Sequence, residues 1–203
     1  MVDGIDVSGN QGGIDFAKVA ATGQANWVYA KATEGVTFDD DHFALYHDAC
    51  KANNIPFGAY HFLRFNPVDD PVAQAQHFLK AINGRQGQLI PMVDVEVIDN
   101  QPTTLITATI ASFMAEVEKT LGGKLMLLYT YYSYWNSVMK GSTAFTGHPL
   151  WIAEYNSDVD PTLPGGFKDW AIWQFSSSGN VAGIGTSVDL DKVKGNDLTA
   201  ISR

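Results

Sequence analysis

Residues 89–97 read Leu-Ile-Pro-Met-Val-Asp-Val-Glu-Val. Leu89, Ile90, Met92 and the three valines mark a buried strand, and segments of helical period flank it near Pro71–Ile82 and Thr103–Leu121. A buried strand between two helices is the unit of a parallel sheet, so this stretch sets the fold class as α/β. Within it, alternation places Asp94 and Glu96 on one face and Val93, Val95 and Val97 on the other. Residues i and i+2 of a strand stand about 6.5–7 Å apart, which lets two flexible carboxyl groups reach one substrate bond. Inward acids in a buried strand cost several kcal/mol unless they are paired, hydrated or used.

The alternation extends in both directions. Strands are expected at Val2–Val7, Trp27–Ala32, Pro56–Phe62, Leu89–Val97 and Lys124–Thr130, with helices near Asp15–Thr22, Asp40–Ala52, Pro71–Ile82, Thr103–Leu121 and Tyr132–Met139. Asp70 before Pro71 is an N-cap followed by a first-turn proline, and Pro102-Thr103 opens the longest helix. Beyond residue 140 strand-like runs continue without helices at Leu150–Tyr155, Ala171–Phe175 and Ser187–Leu190. Five βα units and three further strands make eight, the number that closes a barrel whose side chains just fill it. An open doubly wound sheet is the alternative, but Ser8-Gly9-Asn10-Gln11-Gly12-Gly13 has glycines without the G-x-G-x-x-G spacing. No composition shift marks a linker, so residues 1–203 are read as one domain.

In such barrels chemistry gathers at the C-terminal ends of the strands. Asp6 after the first strand, Asp94 and Glu96 in the fourth and Asp189 in the last would converge there, and Asp191 shares the face of Asp189. Lys31 ends the second strand; a cation among carboxylates favours ionisation of its nearest neighbour and leaves a more secluded acid protonated. Glu34 reads equally as a rim contact or a solvated loop acid. Tyr60 and Phe62, Tyr129 with Tyr131 and Tyr132, Trp151 with Tyr155, and Trp173 collect near the strand ends, where planar rings suit the apolar faces of sugars. Trp27 and Trp170 read as core residues.

Other chemistries find little support. The net charge of −9 offers no basic surface for nucleic-acid phosphates or anionic lipid, and it does not steer the chain toward anionic wall polymers either. His42, His47, His61, His77 and His148 show no paired metal spacing, no G-x-S-x-G elbow exists, and Cys50 stands alone. No metal or other cofactor is expected. No signal peptide is visible and no apolar run reaches the roughly 18 residues that span a bilayer, so synthesis in the cytoplasm without membrane insertion is expected.

Seven ordered motifs then resemble the glycoside hydrolase family 25 lysozymes: Asp-Gly-Ile-Asp-Val-Ser at 3–8, Lys-Ala-Thr-Glu-Gly at 31–35, Gly-Ala-Tyr-His-Phe at 58–62, Asp-Val-Glu at 94–96, Leu-Trp-Ile-Ala-Glu-Tyr at 150–155, Trp-Gln-Phe-Ser-Ser-Ser-Gly at 173–179 and Val-Asp-Leu-Asp at 188–191. The resemblance implies a modified TIM-like (β/α)5(β)3 barrel and hydrolysis of the β-1,4 bond from N-acetylmuramic acid to N-acetylglucosamine in peptidoglycan. It implies Glu96 as general acid, Asp94 as its partner, and Asp6 and Asp189 as further active-site acids. Tyr60, Tyr129, Trp151 and Gln174 fall on groove positions, with Lys31 beside them. The family's last motif often ends in Asn where Asp191 stands here, which leaves the role of Asp191 open. An acid two residues before the proton donor resembles the arrangement in substrate-assisted hexosaminidases, so attack by the substrate's own acetamido oxygen, oriented by Asp94, with retention is expected; a carboxylate nucleophile or an inverting water path would need a second acid at about 5–5.5 Å or 6.5–9.5 Å. A monomer acting on the cell wall, after phage-type release or secretion by other means, is the expected setting.

Overall fold

The computed structural model describes residues 2–155 and 160–203. In chain order its elements are β1 (Val2–Val7), α1 (Phe16–Thr22), β2 (Val28–Glu34), β3 (Phe38–Asp39), α2 (Phe43–Ala52), β4 (Phe57–Phe62), α3 (Pro71–Ile82), β5 (Met92–Asp94), α4 (Thr103–Thr120), β6 (Leu127–Tyr131), α5 (Tyr132–Ser137), β7 (Leu150–Ala153), β8 (Ile172–Gly179) and β9 (Val188–Val193). Each of the five helices follows a strand, and three strands close the chain's circuit. From β1 through β2, β4, β5, β6 and β7 to β8 every pairing is parallel. Strand β9 completes the ring by pairing with both β8 and β1. The ring rules out an open doubly wound sheet.

Apart from the two-residue β3, which pairs antiparallel with β2 outside the ring, one strand departs from the all-parallel expectation. β9 runs antiparallel to both neighbours, because only residues 180–187 separate it from β8 and a parallel crossover needs about a dozen residues or more. Its N-terminal end therefore lies at the rim where the other strands end. β5 is also shorter than the run 89–97 suggested. Pro91 has no N–H to donate, Ile90 N bonds instead to Ile201 O, and the ladder starts at Met92. The extended course continues past β5 as Val95 N donates to Tyr129 O, so Glu96 stands just beyond the sheet.

Helix starts follow the local signals. Asp70 accepts from Ala73 N at 2.9 Å with Pro71 in the first turn, and Asp15 accepts from Lys18 N at 3.1 Å. The outward faces of the strands, including Val93, Val95, Leu128 and Ile152, form one apolar cluster with Phe78 of α3 and Ile106, Ile110, Phe113 and Val117 of α4. The inward faces form a second cluster around Trp27, Tyr29 and Trp151, whose rings meet edge-on at 5.0–5.9 Å. Two inward glycines make that possible: a Cβ at Gly4 would lie 2.1 Å from the Trp27 ring, and one at Gly58 2.3 Å from the Tyr29 ring. The barrel is thus plugged below and open for chemistry above.

Candidate active site

At the upper rim, a cavity of about 270 Å³ is lined by Asp6, Asp94, Glu96 and Asp189 together with Lys31, Tyr60, Tyr129 and Gln174. Of the nine residues expected at catalytic and groove positions, only Trp151 does not line it. The acids arrive from three strands by different routes. Asp6 lies near the end of β1, Asp94 ends β5 with Glu96 two residues on, and Asp189 enters from the start of antiparallel β9, directly opposite Asp6 in the ladder. Paired residues of an antiparallel ladder share a face, so Asp6 and Asp189 both point inward.

Packing four acids into one partly dry space moves their proton affinities. Burial raises Asp94 well above the usual carboxylate range, reinforced by Glu96 and Asp6, with Lys31 pulling the other way. Burial also raises Glu96, opposed by Lys31 and supported by Asp189 and Glu34. Asp6 is pushed up to about 8 by burial and by the charge of Asp189, while burial takes Asp189 up to about 6. Asp94 is 7% exposed, whereas Glu96 is half-buried and faces open space. Among the described residues, the buried Asp94 Oδ1 has no hydrogen-bond donor. That oxygen is an acceptor awaiting a donor.

A hydrogen-bonded relay fixes the floor. Gln174 Nε2 donates to Asp6 Oδ2 at 2.7 Å, and its Oε1 accepts from Tyr129 at 3.0 Å and from Tyr155 at 2.7 Å. A different relay fixes the cation. Lys31 Nζ pairs with Glu34 at 2.5 Å and lies over the Phe62 ring at 4.6 Å; Glu34 also accepts from Arg64, which forks onto Asp99 at 2.7 and 3.0 Å. Glu34 is therefore the joint that ties Lys31 to the rim. Arg64 and Asp99 escaped the sequence reading because their partnership spans 35 residues and has no local pattern. Ser8, Asn10 and Gln11 also line the cavity from a short 3₁₀ turn after β1. The Ser8–Gln11 capping box was the legible signal there, since Ser8 N donates to Gln11 at 2.9 Å.

Trp151 must be reassigned. It is wholly buried beneath the cavity, its Nε1 donates to Asp191 at 3.1 Å, and no face of its ring is left for a sugar. It turns inward like its ladder partner Tyr129, but its ring packs into the plug with Trp27 and Tyr29 and does not reach the cavity. From the cavity the cleft continues past Glu96 into a second space lined by Tyr131, Tyr132 and Tyr155. On the other side it continues past Lys31 and Asn10 to Phe38 and His42.

Comparison with known proteins agrees with this arrangement. Residues 5–184 match the family described as Glycosyl hydrolases family 25. The autolytic lysozyme of Clostridium acetobutylicum is 33% identical over 192 residues, covering 93% of this chain and 55% of that protein. Lysozyme M1 of Streptomyces globisporus is 33% identical over 204 residues, covering 96% of this chain and 68% of that protein. The chain thus spans about half to two thirds of the length of these relatives. The crystal structure of a bacterial lysozyme from Streptomyces coelicolor superimposes with a TM-score of 0.86 at 32% identity, covering 96% of this chain and 92% of that one. By profile, relatives and fold alike, the chain belongs to glycosyl hydrolases family 25.

Proposed function

We propose that the protein is a muramidase, hydrolysing the β-1,4 bond between N-acetylmuramic acid and N-acetylglucosamine in peptidoglycan. The observation that carries this reading is the convergence of Asp6, Asp94, Glu96 and Asp189 in one cavity that opens into a tyrosine-lined cleft. Such a cleft suits a glycan strand, and relatives named lysozyme support the choice of glycan.

The roles follow from depth. Glu96, open to the cleft and raised in proton affinity, gives its proton to the leaving oxygen as the bond from the anomeric carbon breaks. Asp94, deeper, offers the donor-free Oδ1 to the N–H of the 2-acetamido group and turns that group's carbonyl oxygen toward the anomeric carbon. Asp94 accepts that bond most strongly when ionised; the new donor and Lys31 both favour this, and the proton the two acids hold then resides on Glu96. The carbonyl oxygen closes a five-membered ring with the anomeric carbon. Water, losing its proton to Glu96, opens that ring and restores the acetamido group. Two inversions give net retention.

Mass spectrometry of digested, purified peptidoglycan tests the proposal. Muramic acid at every new reducing end is the expected product. Glucosamine there would reassign the bond, and an absence of new reducing ends would make the chain a glycan-binding barrel.

A further inference from the structure

Asp191 takes no part in the reaction just described, yet it is the most secluded acid in the barrel, with no exposed surface. It faces Gly4 on β1 and Gln174 on β8 across its two ladders, one pleat below Asp6 and Asp189. Its Oδ1 accepts from Trp151 Nε1 at 3.1 Å. Its Oδ2 meets no donor among the described residues. The Asp6 carboxyl, which already accepts from Gln174 Nε2, is the side chain that Asp191 engages besides Trp151. Two carboxyl groups face each other there, and only a proton between them makes the contact attractive.

The surrounding charges point the same way. Asp6 on β1 and Asp189 on β9 are both acids, and β7 and β8 present only Trp151 and Gln174. The Tyr29 hydroxyl from β2 is engaged with Ile90 O at 2.7 Å. Lys192, the neighbouring residue on β9, turns out of the barrel and lies over the Phe175 ring at 4.4 Å. No cation among the described residues approaches Asp191 from inside.

We propose that Asp191 is a positioning residue: a neutral carboxyl that accepts the Trp151 N–H, donates its own proton to Asp6, and so holds Asp6 at the floor of the cleft. Two series of donors then converge on Asp6, one from Trp151 through Asp191 in the plugged interior and one from the Tyr129 and Tyr155 hydroxyls through Gln174 at the cleft wall. The charge of Asp191 is never used; its hydrogen is. Burial, followed by the charges of Asp6 and Asp189, raises its proton affinity well above the ordinary value, in keeping with that role.

Two substitutions test it, and the activity readout rests on the muramidase reading whereas the melting readout does not. Asp191→Asn keeps both hydrogen bonds, with its oxygen accepting from Trp151 and its NH2 donating to Asp6. Reducing-end release should stay within about threefold of wild type and its pH profile should not move. Asp191→Leu removes both bonds, and its profile should shift toward higher pH by about one unit, because Asp6 loses a donor that stabilises its ionised form. Thermal melts of the Asn variant and wild type from about pH 4 to pH 8 give the second readout. Native wild type must keep a proton that the unfolded chain releases above about 3.9, so the advantage of the Asn variant should grow as pH rises. A melting difference flat in pH, or a hundredfold loss of release in a folded Asp191→Asn protein, would overturn the proposal by showing that Asp191 works as a charge.

Discussion

His61 and Asp94 stand on adjacent strands, and Val93, next to Asp94, is the ladder partner of His61. His61 points outward into the helix layer and Asp94 inward into the lumen. The imidazole is fully buried, stacked on Phe113 at 4.7 Å, and engaged at both nitrogens, with Thr33 at 2.7 Å and Gln74 at 3.1 Å. Gln74 is in turn occupied by Arg64 N, Arg64 O and Asp69 O. Burial pushes His61 down to about 3, so it stays neutral, and the network reads as Nε2–H toward Gln74 with Nδ1 accepting from Thr33. Asp94 is buried to a similar degree beside two other acids with an oxygen left without a donor. The fold completes the hydrogen bonds of His61. In the proposed reaction the substrate completes those of Asp94, and the fold carries the cost until then.

The largest effect should come from the lumen. Glu96→Gln should lower reducing-end release by about 10²–10⁴ with the thermal melt unchanged or raised, since general acid catalysis supplies a factor of that size. Release within threefold of wild type would remove Glu96 from the mechanism. The outer layer should answer in the opposite sense. His61→Leu strands the buried Thr33 hydroxyl and should cost about 1–3 kcal/mol in denaturant unfolding while kcat/KM stays within twofold. A large loss of turnover without loss of stability would erase the distinction between the layers.

Trp151→Phe sharpens the comparison inside the lumen. Loss of its bond to Asp191 and of ring volume should cost about 1–3 kcal/mol with KM for glycan within threefold. A tenfold rise in KM would restore Trp151 as a sugar contact. The smallest effect is the shape of the stability curve with pH. The unfolded chain protonates its His61 below 6.5 while the native one resists until about 3, so His61 withdraws stability on acidification through that window. Asp6 has the opposite sign: native protein keeps a proton up to about 8 that the unfolded chain releases above 3.8, so stability falls as pH rises between them. Melts of His61→Leu should be flatter on the acid side and melts of Asp6→Asn flatter on the neutral side.

Much of this was legible in residue order. Alternation set Asp94 and Glu96 on one face, the family resemblance pointed to Tyr129 and Trp151, and cap signals such as Asp70-Pro71 marked helix starts. The direction of β9 was not in its own pattern, because a period of two has no polarity; the short connection 180–187 held that information. Depth along the barrel axis was hidden for the same reason. Trp151 and Tyr129 are ladder partners, yet only Tyr129 reaches the cavity, which depends on stagger and ring orientation. The seclusion of Asp191 from solvent and its bond to Trp151 followed from closure of the ring.

The claim that the lumen acids are held against the preference of the fold for the sake of the reaction is tested most directly on Asp94→Asn, by measuring its melting temperature and its reducing-end release at pH 7. The account predicts a higher melting temperature, by roughly 2–4 °C for each kcal/mol recovered, with release down at least about a hundredfold. A melting temperature equal to or below wild type, with release intact, would contradict it.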